Sequence, residues 1–176
     1  NTRWLNRFTF LFPLIPTTLL IAGITMRCLI RHRPPVTTLY ETILFVVAVV
    51  MVAAFLIELM SRQRIILSAA LALAVGGMFL ANKYEAIEGR DTMPSMVAVL
   101  DTNFWLAAHV TTIAVGYAAC LLAAAVGHIY VLCRVLGLRR NDSEFYGNLA
   151  RVTYGMVCFA LLFTFLGTTL GGVWAN

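Results

Sequence analysis

Long apolar stretches separated by short polar segments dominate the pattern of this sequence. Five of these stretches are each close to the ~20 residues that an α-helix needs to cross the hydrocarbon layer of a bilayer. They cover residues 9–30, 38–60, 65–82, 104–133 and 150–172, and most charged residues lie outside them. The pattern therefore predicts an all-α fold, an integral membrane bundle of about five transmembrane helices in a single domain covering residues 1–176.

The polar residues between the first two stretches predict where one helix ends and the next begins. Pro34 and Pro35 end the first helix, because the residue before a proline is driven out of the helical region. Thr37 or Thr38 can cap the second helix. Glu41 then falls in its first turn, where the helix dipole favours a negative charge.

Two longer polar segments are predicted to have different structures. Residues 83–103 carry charges of both signs and are predicted to form a loop. Residues 138–151 mix arginines with apolar residues, which indicates an amphipathic segment on the membrane surface that Asp142 or Ser143 caps.

The composition supports a membrane protein. Mean hydropathy is +0.86 and only 12% of the residues are charged, whereas a soluble domain of this length would expose far more polar surface.

The cysteines form no CxxC or CxxCH pattern, so we expect them to pack as small apolar residues rather than to bind zinc or attach haem. They are Cys28, Cys120, Cys133 and Cys158. The chain begins at Asn1 and stops where an apolar helix ends, which predicts a fragment of a larger membrane protein.

The distribution of basic residues predicts the orientation in the membrane. Eight arginines lie on the side that holds the N-terminus, and these are Arg3, Arg7, Arg62, Arg64, Arg134, Arg139, Arg140 and Arg151. Five basic residues lie on the other side, and these are Arg27, Arg31, Arg33, Lys83 and Arg90. Because basic residues concentrate in the cytoplasm, the N-terminus is predicted to be cytoplasmic, with His109 and residue 176 on the outer face. The scattered arginines suit contacts with the headgroups of membrane lipids. The sequence has no stripe of basic residues interleaved with aromatic residues, the pattern that would indicate nucleic-acid binding.

Three histidines are candidates for metal or cofactor chemistry. His109 comes five residues after Phe104, which places it roughly 7.5 Å along its helix from the outer end. His128 lies about 28 Å farther along the same helix, so the two cannot share one metal or one haem. We expect His128 to have a solvated or packing role. His32 stands between two arginines and is either solvated or part of a carboxylate-binding group.

The face of the helix that carries His109 has two interpretations. Trp105 lies one turn before the histidine, and a stripe of small residues follows it. These are Thr112, Gly116, Cys120, Ala123 and Gly127. Small residues usually allow close helix packing in membranes, and in the first interpretation His109 and Trp105 end a packed helix at the interface. Alternatively, His109 offers a ring nitrogen to a metal or cofactor, and the small residues leave room for it.

Three segments carry motifs in a specific order. They are RPPVTTLYETILFV (33–46), LDTNFWLAAHVTTIAVGYAA (100–119) and YGMVCFALLFTFLGTTLGGVWAN (154–176). This order resembles the haem-handling cytochrome c assembly family, and the closest similarity is to its system II synthase component (CcsA/ResC type). Its members carry a proline-valine and tyrosine-glutamate segment, a tryptophan-leucine-xx-histidine-valine helix and a glycine-rich helix end with tryptophan-alanine. The resemblance covers nearly the whole chain, residues 33–176.

The resemblance implies a role in cytochrome c-type biogenesis, with haem b as the cargo that is presented at the outer membrane surface. There the thiols of an apocytochrome c add to the haem vinyl groups. The chain would be part of a holocytochrome c synthase and inactive alone. The implied partners are haem, apocytochrome c, a partner system II assembly protein and membrane lipids. The implied location is the bacterial inner membrane or an equivalent energy-transducing membrane.

The resemblance also assigns site residues. In the family, the histidine of the WLxxHV segment is one of two external axial ligands of the haem iron, and this position is His109. Trp174 and the glycines before it match the start of the tryptophan-rich motif, and Tyr40 and Glu41 match a position that supports the external site. The sequence stops at Asn176, before the family's second external histidine.

Further roles follow if haem is the cargo. Trp105 and Trp174 offer flat apolar surface for the porphyrin, and Gly116 leaves room beside it. The haem propionates need cations, for which the candidates are Arg31, Arg33 and Arg90. The ring nitrogen of His109 that does not bind iron must donate to a second group. The candidates for that group are Asp101, Thr102, Asn103 and Thr112.

Two other functional classes stay open. A small-molecule transporter or channel fragment needs polar residues along a path at mid-membrane. The third and fifth stretches offer only a few hydroxyls, on Ser68, Thr164, Thr168 and Thr169. A quinol-type membrane cytochrome b needs histidine pairs on facing helices, and His32, close to Pro34, is a poor partner for His109.

Overall fold

The computed structural model describes residues 2–61, 64–88, 104–139 and 141–175, and of residues 2–7, 9, 88, 106 and 174 it describes the backbone only. Within these ranges the chain forms five α-helices, each with a segment long and apolar enough to cross a membrane. They are α1 (Thr2–Arg31), α2 (Leu39–Ser61), α3 (Arg64–Glu88), α4 (Phe104–Val135) and α5 (Ser143–Ala175). The predicted all-α membrane bundle is confirmed.

The predicted loop at residues 83–103 is wrong over its first part. Helix α3 continues through this region as far as Glu88, and residues 89–103 lie outside the described ranges. The segment from Lys83 to Glu88 contains no proline or glycine that would stop a helix. Charge alone therefore placed the end of the third helix too early.

The predicted surface segment at residues 138–151 is also wrong over most of its length, because α5 already begins at Ser143. Phe145, Tyr146 and Leu149 are buried, with exposed fractions of 5%, 5% and 0%. These apolar side chains pack against the other helices instead of lying in the lipid interface. The segment is thus the start of a long membrane helix.

The turn between α4 and α5 depends on one glycine and one cap. Gly137 has a φ of 66°, a conformation that costs glycine little, and the N–H of Leu138 donates to the carbonyl of Cys133 at 2.9 Å. Asp142 Oδ1 accepts the N–H of Phe145 at 3.0 Å, which confirms Asp142 as the predicted cap of α5. The glycine turn and the helix cap together reverse the chain direction, so that α4 and α5 form an antiparallel hairpin.

The core lies where α2, α3 and α4 meet the first turns of α5. Side chains from all four helices are 0% exposed there, and these are Ala54, Ile66, Ala70, Ala118, Leu122, Val126 and Leu149. Helix α1 packs along α2, and only 11% of its most apolar window is buried. The chain order places the ends of α1, α3 and α5 beside the starts of α2 and α4, and we call this the His109 end of the bundle.

Glycines let α4 and α5 approach closely. A Cβ atom added to Gly116 would lie 2.6 Å from Cγ2 of Thr164, and one added to Gly167 would lie 2.9 Å from Cβ of Ile113. Four pairs of residues face each other along the interface, His109–Gly171, Ile113–Gly167, Gly116–Thr164 and Gly127–Thr153. In the first three pairs the α4 residues, 109, 113 and 116, are separated by four and then three residues. This is the spacing of contact residues in helices that pack with a heptad repeat. At Gly116 the small residues therefore serve helix packing, and α5 fills the space that was predicted to stay open.

Candidate functional site

His109 lies where the α4–α5 interface reaches the His109 end of the bundle. Its imidazole is half-buried, and Nδ1 lies 2.5 Å from the carbonyl oxygen of Gly167 on α5. A carbonyl oxygen only accepts hydrogen bonds, so Nδ1 carries the hydrogen and donates it. In the neutral ring Nε2 then keeps its lone pair, and within the described part of the chain no hydrogen bond engages it.

Gly171 provides the space that the imidazole occupies. A Cβ atom at this position would lie 2.7 Å from both Nδ1 and Cε1 of His109 and 3.2 Å from Nε2. A side chain there would displace the ring. Within the described part of the chain, the neighbouring Gly172 has no atom within 4 Å of its added Cβ, so of the two adjacent glycines it is Gly171 that makes room for the histidine.

The hydrogen-bond partner of His109 differs from the predicted candidates. The predicted candidates were the side chains of Thr112 and of residues 101–103, and the latter lie outside the described ranges. The structure instead uses a main-chain carbonyl on another helix. Residue type cannot reveal such a partner, but the spacing of Gly167 and Gly171 by one helical turn was a usable signal.

The two predicted aromatic residues differ in what can be described. Trp105, one turn before His109, is 47% exposed, and its ring packs edge-on against Phe104 with the ring centroids 5.7 Å apart. Trp174 belongs to the last turn of α5, at the same end of the bundle. Its side chain lies outside the described residues, as does the whole of Arg90. A porphyrin surface made by the two tryptophans stays a prediction.

The other two histidines have local roles in the structure. His128 is exposed, and its Nδ1 donates to the carbonyl of Ala124 in the same helix at 2.7 Å. His32 is exposed and has a φ of 51°, and the N–H of Arg33 donates to the carbonyl of Cys28 at 3.4 Å. His32 therefore occupies the left-handed position that ends α1.

A second group of predicted residues meets where α1 ends and α2 begins. A narrow cleft of about 20 Å³, room for about one water molecule, is lined by Arg27, Arg31, Arg33 and Glu41. Three guanidinium groups and one carboxylate of the described residues line the cleft. It suits an anionic group at its mouth.

Glu41 organises this cleft. Its Oε1 accepts hydrogen bonds from Arg27, at 3.3 Å from Nε and 3.1 Å from Nη2, and the two side chains are only 13% and 23% exposed. Its Oε2 accepts the N–H of Thr37 at 3.3 Å and also the Thr37 hydroxyl. The Thr38 hydroxyl accepts the N–H of Glu41 at 3.1 Å, which makes Thr38 the helix cap of the two predicted candidates.

Arg27 is the residue of this group that sequence analysis missed as a site residue. Its guanidinium also lies over the ring of Tyr40, 5.4 Å from the centroid. Arg27 precedes Arg31 by four residues and therefore shares its face of α1. That spacing was a signal for a pair of arginines facing the start of α2.

The donor set restricts the metals that the described residues can hold. No three His, Cys, Asp or Glu side chains come together within them, so this part of the chain offers no site for an ion that depends on protein ligands alone. A metal inside a macrocycle needs only axial ligands, which single side chains supply. An imidazole with its Nδ1–H fixed and its Nε2 free meets that requirement.

Comparison with known proteins gives one match. The family model described as Cytochrome C assembly protein matches residues 36–176. The match covers α2 to α5, with His109, Gly167 and Gly171, and it begins after the three arginines of the cleft. No curated protein matches the chain. No solved structure matches it either.

Proposed function

The chain belongs to the cytochrome c assembly protein family and has a role in cytochrome c biogenesis, and we propose that it binds haem b and presents it at the outer surface of the membrane. The haem is cargo for covalent attachment to an apocytochrome c. His109 supplies an axial ligand to the haem iron through Nε2. The observation that supports this role most strongly is the hydrogen bond from His109 Nδ1 to the Gly167 carbonyl, which leaves Nε2 free.

The remaining site residues have supporting roles in this proposal. Arg31 and Arg33 bind haem propionates, since their guanidinium groups line the cleft at the His109 end and guanidinium groups pair well with carboxylates. Glu41 and Tyr40 hold Arg27 in that cleft. Trp105 and Trp174 provide apolar surface for the porphyrin.

Gly116 contributes to helix packing in this proposal and not to direct contact with haem. It was predicted to leave room for haem, but a Cβ atom there would meet Thr164 of α5. Gly116 therefore acts on the site only indirectly, by allowing the close approach of the two helices that seat His109.

The cellular setting follows from the same reasoning. We place the chain in the bacterial inner membrane or an equivalent energy-transducing membrane, within a system II synthase that includes a partner assembly protein. The N-terminus is cytoplasmic, so the His109 end faces outward, where an apocytochrome c can reach the haem.

Cysteine labelling tests this orientation. His32 and Arg139 form a matched pair, because each has a φ of 51° and the two lie at opposite ends of the bundle. In a background without the four native cysteines, a membrane-impermeant maleimide added to intact cells, with the outer membrane permeabilised where one is present, is expected to label His32→Cys and not Arg139→Cys. Labelling of Arg139→Cys alone would reverse the orientation and place His109 in the cytoplasm.

Haem content tests the proposed cargo. The protein purified in detergent from cells that make haem is expected to show a Soret band and to bind added haem stoichiometrically. A protein with no Soret band, even after haem is added, would contradict haem binding and favour the transporter alternative. Haem staining after denaturation distinguishes bound cargo from covalent attachment, and we expect none of the haem to stay on this chain, which has no CxxC pair.

A further inference from the structure

The proposed ligand belongs to α4, but the atoms that fix its orientation belong to α5. We propose that Gly167 and Gly171 are positioning residues for His109: the Gly167 carbonyl selects the tautomer of the imidazole, and the bare Cα of Gly171 lets the ring reach that carbonyl. The relevance of this arrangement to haem rests on the proposed function. The arrangement itself can be tested without haem.

The short distance between His109 and Gly167 decides which tautomer the imidazole adopts. Nδ1 lies 2.5 Å from the carbonyl oxygen. In the tautomer that protonates Nε2, the lone pair of Nδ1 would point at a lone pair of that oxygen, which is repulsive. The half-buried ring and its buried partner have little access to water that would relieve the repulsion. The carbonyl therefore selects the tautomer with Nδ1–H and a basic Nε2, the nitrogen that a metal needs.

The Gly167 carbonyl can serve this purpose without breaking α5. A helical carbonyl accepts one hydrogen bond from the N–H four residues later, and its oxygen has a second lone pair. At most helix positions the side chain of that later residue covers the second lone pair. Here the later residue is Gly171, and an added Cβ would lie 2.7 Å from Nδ1. The missing side chain is what exposes the carbonyl to the imidazole.

The position of α5 depends on Gly167 itself. An added Cβ at Gly167 would lie 2.9 Å from both N and Cβ of Ile113, one turn along α4 from His109. A larger residue would push α5 away and carry the carbonyl out of hydrogen-bond reach. The two glycines thus act together, one on the distance between the helices and the other on access to the carbonyl.

Two adjacent glycines give a matched pair of variants. Gly171→Ala places a methyl group against the imidazole, whereas Gly172→Ala adds the same methyl group where no atom of the described residues lies within 4 Å. Both changes raise helix propensity to the same extent. A difference between the two variants therefore reports on contact with His109 and not on the stability of α5.

The primary measurement is ¹⁵N NMR of histidine-labelled, haem-free protein in detergent. The chain has three histidines, so His109 can be assigned by its loss in His109→Gly. The wild type and Gly172→Ala are expected to show His109 as the single Nδ1–H tautomer. Gly171→Ala is expected to show a mixture of tautomers at His109, with the signal of His128 unchanged.

Haem titration gives the second measurement. Removing a group that orients a metal-binding histidine typically weakens affinity about 10- to 100-fold, and we expect a loss of that size for Gly171→Ala and none for Gly172→Ala. An Nε2–H tautomer in the wild type would overturn the inference even if Gly171→Ala fails to fold. So would an unchanged Nδ1–H tautomer in Gly171→Ala. Retention of haem by His109→Gly would instead overturn the proposed function and leave the tautomer result standing.

Discussion

His109→Gly is expected to lose bound haem during purification and to abolish cytochrome c maturation in cells that depend on this protein. The substitution removes the imidazole whose Nε2 is free, and within the described residues no other histidine lies at the α4–α5 interface of the His109 end. The measurements are the Soret absorbance per protein and the amount of haem-stained cytochrome c. The rest of α4 should stay in place, because its packing on α5 depends on Gly116 and its neighbours.

His128→Gly is the control for this experiment. It lies on the same helix, is exposed, and bonds only to the Ala124 carbonyl of its own helix. It also places glycine in α4 at a similar cost in helix propensity. We expect it to keep wild-type haem content and activity, since it lies about 28 Å from His109 by helix rise. Equal losses in both variants would indicate a weakened helix and not a lost ligand.

Glu41→Ala is expected to destabilise the end of α1 and the start of α2 and to reduce cytochrome c maturation. The carboxylate of Glu41 accepts hydrogen bonds from Arg27 and Thr37, and the side chains of Glu41 and Arg27 are only 13% and 23% exposed. Breaking a largely buried ion pair from one side costs about 3 kcal/mol, because the remaining charge has lost its partner carboxylate. The expected result is a lower Tm in detergent and weaker haem binding.

Two further variants distinguish the effect of losing the Arg27–Glu41 ion pair from the effect of losing a charged residue in general. The double variant Arg27→Met with Glu41→Ala should recover part of the lost Tm, because it also removes the guanidinium group that has lost the Glu41 carboxylate. Arg139→Gln breaks the exposed Arg139–Asp142 pair, 3.7 Å apart, without removing the Asp142 cap, and that contact should contribute about 1 kcal/mol or less. If Glu41→Ala matched the wild type in Tm and in maturation, Glu41 would have neither role.

The sequence was most informative where a pattern repeats over many residues. The five apolar stretches correspond to the five described helices, and Thr38 and Asp142, each one of two predicted candidates, act as helix caps. The boundaries of α3 and α5 were wrong for one reason. Charged residues predict the end of a membrane helix, whereas α3 continues past Lys83 and α5 already begins at Ser143.

The site could be predicted only in part, because its key contacts join distant segments through groups that residue type does not report. His109 and Gly167 are 58 residues apart, and the contact is made by a main-chain carbonyl. Arg27 was not predicted as a site residue, because its role depends on the ion pair that it forms with Glu41 across the turn between α1 and α2. The small residues on α4 allowed two interpretations, and only the position of α5 shows that Gly116 packs against Thr164.

The central claim is that Nε2 of His109 binds the haem iron, and imidazole rescue of His109→Gly tests it most directly. The account predicts that free imidazole restores the Soret band and part of cytochrome c maturation in this variant, because the small molecule fills the vacated position of the ring. The same imidazole should have no effect on Glu41→Ala, whose histidine is intact. A His109→Gly protein that holds as much haem as the wild type before any imidazole is added would contradict the claim.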